Sequence, residues 1–250
     1  MINYLDQHLI REKIKYFNSI YSEWSNDYEK LVKELIFEGN IEDVIFLANF
    51  FKYKLNYQNI AAWAALAGYY DIVLWAVENK ANNFQTIANN AAYSGFSNIV
   101  FYACDNGAND YNQIACKAAE GGFIYILKYA LQKGATEYNR IILSAAKNRY
   151  IYIINFMLTN YVNNYDELLK FSIEKGYIEI IKMILPKKSY NINDLALMCV
   201  ETGSIFCLVY FLENGANNFG QLIEKAKEVQ NSTIIELLGE TNIDNWKIIN

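Results

Sequence analysis

Apolar and polar positions along the chain recur with a period of 27 residues. KANNF at 80, GANDY at 107, GATEY at 134, YVNNY at 161 and GANNF at 215 start 27, 27, 27 and 54 residues apart. The start missing from that series, 188, reads KSYNI, and the start before 80, at 53, reads YKLNY. Seven repeats therefore follow one another from Tyr53 to Thr241 without insertion or deletion, and an eighth, 24–52, fits when two extra residues are allowed. A fixed period of this length marks a repeat architecture.

Within a repeat, position 5 is aromatic or apolar: Tyr57, Phe84, Tyr111, Tyr138, Tyr165, Ile192, Phe219. Position 8 is Ile or Leu, and positions 12 and 13 are mostly small, as in Ala64-Ala65, Ala91-Ala92, Ala118-Ala119 and Ala145-Ala146. Positions 5, 8, 9 and 12 are spaced i, i+3, i+4 and i+7, one face of an α-helix. Position 4 (Asn56, Asn83, Asp110, Glu137, Asn164, Asn191, Asn218) is the expected N-cap, since a short polar side chain accepts from free N–H groups of the first turn. Gln113, Glu167, Asp194 and Gln221 stand where a capping-box partner belongs. Position 16 is Gly68, Gly95, Gly122, Gly176 or Gly203 in five of seven repeats, which predicts a left-handed helix stop. A second apolar set follows at positions 20, 21, 24 and 25, as in Ile126-Leu127 with Ala130-Leu131, and predicts a second helix. It closes in Asn-Gly or Lys-Gly at 106–107, 133–134 and 214–215.

Each repeat thus reads as helix, tight turn, helix, tight turn. Helices this short do not stand alone, and stacking neighbours buries their apolar faces. The expected fold is an all-α solenoid of about eight repeats: 24–52, 53–79, 80–106, 107–133, 134–160, 161–187, 188–214 and 215–241. Residues 1–23, with Leu5, Leu9, Ile10, Ile14 and Phe17 at helical spacing, are expected to form an N-terminal capping helix, and 242–250 a short tail. In the last repeat Gln230 replaces the position-16 glycine, and Lys225, Lys227 and Glu228 suit a solvent-facing end.

The small pair with glycine (Ala118-Ala119-Glu120-Gly121-Gly122), the run Gly68-Tyr69-Tyr70-Asp71-Ile72-Val73 and the closing Gly107-Ala108, Gly134-Ala135 and Gly215-Ala216 resemble the ankyrin repeat. That unit is usually about 33 residues; here six are missing from the β-turn finger, and no Thr-Pro-Leu-His opening is present. The resemblance implies a right-handed α-solenoid with shortened or absent β-hairpin fingers. Short, Asn- and Tyr-rich repeats of this kind look like the ankyrin-like proteins of giant DNA viruses.

Composition narrows the function classes. The chain has 250 residues, is 53% hydrophobic and 20% charged, and contains one proline, so it is neither disordered nor linker-rich. A net charge of -5 without a basic run argues against nucleic-acid binding. The abundance of Asn, Ile, Tyr and Lys matches A/T-rich codons and is read as genomic bias. The opening MINYLDQHLIREKIKYF has no secretory apolar core, and no stretch is long and apolar enough to span a membrane. Four cysteines without a CxxC pair make no disulfide framework, so the expected location is intracellular, most simply cytoplasmic.

No catalytic constellation stands out, so the chain is expected to be no enzyme and to need no cofactor or metal. His8 reads as a surface or capping-helix residue, and three of the four cysteines (Cys104, Cys116, Cys199, Cys207) fall on core positions. Trp75 shares position 23 with other large apolar residues and reads as structural. The ankyrin resemblance implies that a partner meets the first-helix face and turns, a concave wall formed by positions 11, 14 and 15. Position 11 supplies Trp63, Lys117, Phe171 and Met198; position 14 supplies Leu66, Tyr93, Glu120 and Lys147. Trp63, Leu66 and Tyr93 would form one apolar patch, Phe171 and Met198 a second. The expected function is a non-catalytic protein-binding module, in a viral setting one that engages a host factor. The alternative is a structural or virion-assembly component that self-associates.

Overall fold

The structure, a computed structural model, describes Glu12, Lys15, residues 28–50 and residues 55–240. Most of the expected capping helix, His8, Trp24 and the tail with Trp246 lie outside the described residues. Among those described there are sixteen α-helices, one 3-10 turn and no strand. They fall into two compact units, Met1–Ala135 and Thr136–Asn250.

The N-terminal unit holds α1 (Tyr28–Glu38), α2 (Ile41–Phe50), α3 (Tyr57–Ala67), α4 (Tyr70–Glu78), α5 (Phe84–Ser94), α6 (Ser97–Asp105), α7 (Tyr111–Gly121) and α8 (Ile124–Gln132). Each repeat's first helix packs on its own second helix, and the first helices pack in the order α1, α3, α5, α7. The C-terminal unit holds α9 (Tyr138–Lys147), α10 (Ile151–Asn160), α11 (Asp166–Lys175), α12 (Ile178–Ile184), α13 (Ile192–Thr202), α14 (Ile205–Glu213), α15 (Phe219–Glu228) and α16 (Ser232–Glu240). It is packed in the same way, with α9, α11, α13 and α15 in succession.

The helical phase follows the sequence repeat. From Tyr53 onward every second helix starts at position 18, and every first helix at position 5 except α11, which starts one residue later. Position-8 side chains such as Ile60, Ile87, Ile114 and Ile141 are buried, and Ala64, Ala91, Ala118 and Ala145 are fully so. Small side chains at these points let neighbouring helices approach closely, and the Ile-Val or Ile-Leu pairs of the second helices seal the core.

Position 16 is left-handed in every one of these seven repeats. The five glycines have φ between 72° and 89°, and Arg149 and Gln230 adopt 57° and 55° without glycine's freedom. In all seven, the position-17 N–H then donates to the position-12 carbonyl, as in Tyr69 to Ala64 (2.9 Å) and Ser204 to Cys199 (2.8 Å). This is the bond that closes a glycine-type helix stop. In the N-terminal unit the glycine has a second use. A Cβ on Gly68 would collide with the ring of Phe96, and one on Gly95 with the ring of Phe123, each an aromatic from the next repeat. In the C-terminal unit nothing lies within 4 Å of such a Cβ on Gly176.

The N-cap expectation holds for most repeats. Asn56, Asn83, Asp110 and Asn191 accept from first-turn N–H groups, and Asn164 accepts from Asp166 N at 3.2 Å. Glu137 does not cap, because its longer side chain reaches Arg140 at 2.7 Å, and Asn218 makes no cap bond either. The capping-box expectation is corrected. Gln113 donates to the Asp110 side chain and Gln221 accepts from the Asn218 side chain, rather than from a cap backbone N–H.

Those N–H groups are held instead by the preceding repeat, through position 6. Glu29 accepts from Asn56 N (3.1 Å), Gln58 from Asn82 N and Asn83 N (both 3.0 Å), and Gln85 from Asn109 N (3.2 Å) and Asp110 N (2.9 Å). In the C-terminal unit Asn193 does the same for Asn217 N at 2.9 Å, but Asp166 binds side chains: Lys188 Nζ at 2.8 Å and the Tyr190 hydroxyl at 3.0 Å. The lysine, then the tyrosine, hold the Asp166 carboxyl below its ordinary range. Burial, with Asp166 second, pushes the Tyr190 phenol up to about 12. The variation adjoins Pro186, the chain's one proline, where α12 stops after seven residues and gives way to the 3-10 turn Leu185–Lys187.

Candidate functional site

The first helices present positions 11 and 14 on the side away from their buried stripe. In the N-terminal unit α1, α3, α5 and α7 stack in sequence, at the roughly 8–10 Å typical of packed helices, so one repeat position forms a row across them. Position 14 along that row is Phe37, Leu66, Tyr93 and Glu120. Phe37 and Tyr93 are 46% and 42% exposed, large fractions for aromatic rings, and Leu66 is half-buried. Trp63, at position 11 of α3, is half-buried with Lys33 Nζ 6.0 Å from its ring centroid. Lys117 Nζ lies 5.7 Å from the Tyr93 ring centroid and pairs with Glu120 at 2.8 Å. Two lysines thus lie over the Trp63 and Tyr93 rings, an arrangement favourable by about 0.5–1 kcal/mol at exposed sites.

In the C-terminal unit the same position is charged throughout: Lys147, Glu174, Glu201 and Glu228, all exposed. Lys225 bridges Glu201 (3.1 Å) and Glu228 (3.2 Å), and these carboxylates, Glu201 foremost, raise its pKa. Phe171 and Met198 are half-buried at position 11. The Phe171 ring meets Tyr177 of its own repeat edge-on at 6.1 Å. Position 11 is also open less uniformly than expected: Ser144 is buried, its hydroxyl donating to the Arg140 carbonyl at 3.0 Å.

Phe37 was not among the expected site residues. It is legible once 24–52 is read in the same register, where it stands at position 14. A further set of exposed side chains also goes unmarked by the sequence pattern. Position 19, on the second helices, is exposed in all seven repeats from 53 onward and carries Tyr125, Tyr152 and Phe206, the last 79% exposed.

The cysteines and Trp75 take part in packing. Cys116, Cys199 and Cys207 are buried and Cys104 is half-buried. Burial, chiefly, pushes the Cys104 thiol up, and a hydrogen bond with Cys207 together with burial holds the Cys199 thiol protonated. Trp75 packs edge-on against Tyr57 at 5.3 Å, as a structural residue does. Among the described residues no group of three or more His, Cys, Asp or Glu side chains could hold a metal ion, and no helix is long and apolar enough to cross a membrane. No protein-family model matches the chain, and no curated protein matches it.

Proposed function

We propose that the chain is a non-catalytic protein-binding module built from ankyrin-like repeats, wound as a right-handed solenoid whose fingers have been lost. One observation carries this reading: position 14 is free of core duty, yet in the N-terminal unit it holds exposed Phe37 and Tyr93 with Leu66 between them. Aromatics standing on an otherwise polar face are the residues that dominate protein interfaces. Trp63 and Tyr93 are the anchors, Phe37 and Leu66 extend the strip, and Lys33 and Lys117 flank it. The composition and short repeats favour a viral source, an intracellular setting and a host protein as the partner.

A second reading, self-association into an assembly, is favoured by the exposed position-19 aromatics on the second helices. Light scattering separates the two. The binding module is a monomer at micromolar concentration, whereas the assembly component forms an oligomer that Phe206→Ser and Tyr152→Ser dissolve. Quantitative capture from host-cell extract, comparing the natural chain with Trp63→Ala/Tyr93→Ala, tests the first reading.

A further inference from the structure

We propose that Asn106 and Asn214 are deamidation sites, and that the fold makes each a one-way ratchet on the opening of its repeat. Each follows the second helix of its repeat, α6 and α14. Their settings are nearly the same: Asp105-Asn106-Gly107-Ala108 and Glu213-Asn214-Gly215-Ala216. Both asparagines and both glycines are exposed. Glycine brings no side chain against the asparagine, so its backbone nitrogen can reach the amide carbon. In the reaction the glycine N attacks Asn Cγ and an N–Cγ bond forms. The Cγ–Nδ2 bond breaks, and the displaced nitrogen leaves as ammonia with the glycine's proton. Water then opens the five-membered imide at either carbonyl and leaves aspartate or isoaspartate. No oxidant or reductant takes part.

The closed fold holds both sites in a form that does not react. Asn106 Nδ2 donates to the Tyr102 carbonyl at 2.8 Å and Asn214 Nδ2 to the Tyr210 carbonyl at 2.7 Å, so each side chain caps its own helix. The attacking nitrogens are also engaged: Gly107 N donates to Cys104 O and Gly215 N to Leu212 O, each at 3.2 Å. The next residues, Ala108 and Ala216, bond back to Ala103 O and Phe211 O at 2.9 Å and clamp the turn. With ψ of 10° and 20°, each asparagine turns the glycine nitrogen toward its own backbone nitrogen and away from its side chain. Reaction therefore requires the last turn of the helix to unwind.

Once it has occurred, the repeat closes less readily. A carboxylate cannot donate to the tyrosine carbonyl, and it adds negative charge at the negative end of the helix dipole. Isoaspartate further inserts a backbone carbon into a register that has no insertion over seven repeats. The molecule carries its own controls. Asn79 and Asn160 make the same cap, to Trp75 O (2.9 Å) and Phe156 O (2.8 Å), but are followed by Lys80 and Tyr161.

The test incubates the full chain at mildly alkaline pH, folded and in denaturant, and follows each asparagine by peptide mapping with mass spectrometry. In denaturant Asn106 and Asn214 should react at matching rates, and about tenfold or more faster than in the folded protein, where local opening limits them. Asn79 and Asn160 should keep their amides over the same period. Asn106→Asp and Asn214→Asp should each lower the melting temperature. Folded rates equal to denatured ones would overturn the protection by the cap. Reaction of Asn79 and Asn160 at the same pace would overturn the role of glycine. Unchanged melting in both aspartate variants would overturn the ratchet.

Discussion

The two units share one 27-residue register and differ in what they do with its free positions. At position 14 the N-terminal unit shows Phe37, Leu66 and Tyr93 with one charge, Glu120, while the C-terminal unit shows Lys147, Glu174, Glu201 and Glu228. Between repeats, the N-terminal unit seats an aromatic ring on each neighbouring glycine, Phe96 on Gly68 and Phe123 on Gly95. In the C-terminal unit Arg149 takes the glycine's place and lies 5.3 Å from the Tyr177 ring centroid. At position 6 the N-terminal unit uses amides on backbone N–H groups, where the C-terminal unit relies in part on the Asp166–Lys188 ion pair. The buried positions keep one register in both units but not one size: alanines of the N-terminal unit such as Ala61, Ala65 and Ala76 give way to larger side chains such as Ile142, Ile173 and Phe211 in the C-terminal unit. The repeat period is therefore shared, while individuality resides in core side-chain size as well as in the turns and the outward rows.

The largest contrast is expected at the left-handed glycines. Gly95→Ala must adopt φ of 89° and displace the Phe123 ring, for a loss of about 3 kcal/mol in thermal unfolding. Gly176→Ala bears only the backbone cost of about 1–2 kcal/mol, having open space around it. Equal losses would break the distinction between the two kinds of turn. Ala118→Leu and Ala145→Leu, by contrast, should each cost about 1–3 kcal/mol, because both alanines are fully buried. Unchanged melting in both would remove the small pair from the helix contact.

The inter-repeat clamps should differ in kind more than in size. Gln85→Ala leaves two N–H groups without their acceptor and should cost about 1 kcal/mol, independent of salt. The Asp166 clamp should weaken in high salt. The Asp166 pKa is lowered in the fold, so its contribution is present above the ordinary carboxylate value of about 3.9 and is lost as pH falls through the lower folded value. A melting curve of Asp166→Asn that stays parallel to the natural chain's through that acid range would contradict this assignment. The smallest effect is a gain: Gln230→Gly relieves a left-handed non-glycine residue and should stabilise by up to about 1 kcal/mol. No gain would mean that the Gln230 side chain offsets its backbone cost.

Most of the fold was legible because the features that define it are local. Helix phase follows from the Ile and Ala spacing, and the left-handed stops from glycine at position 16, a conformation strong enough to persist at Arg149 and Gln230. What the sequence did not convey depends on contacts between side chains of different repeats. Gln58 and Gln85 read as ordinary polar residues until the next repeat's N–H groups are placed beside them. Asparagine, expected as an N-cap at position 4 and otherwise as genomic bias, also bonds the last-turn carbonyls at Asn79, Asn106, Asn160 and Asn214. At the candidate site, Trp63, Leu66 and Tyr93 are named from repeat position alone, while Phe37 needs the register to be carried into the first repeat.

The central claim is that recognition belongs to the apolar row of the N-terminal unit and not to the charged row of the C-terminal one. The direct measurement is the affinity of a captured partner for three chains: the natural one, Trp63→Ala/Tyr93→Ala, and Glu174→Gln/Glu201→Gln. Thermal melting of each is recorded alongside. The account predicts that the first double variant loses about 2 kcal/mol or more of binding energy, as for an anchor pair, with little change in melting, while the second binds as the natural chain does. Retained affinity in Trp63→Ala/Tyr93→Ala, with lost stability or with binding abolished by the glutamate changes, would contradict it.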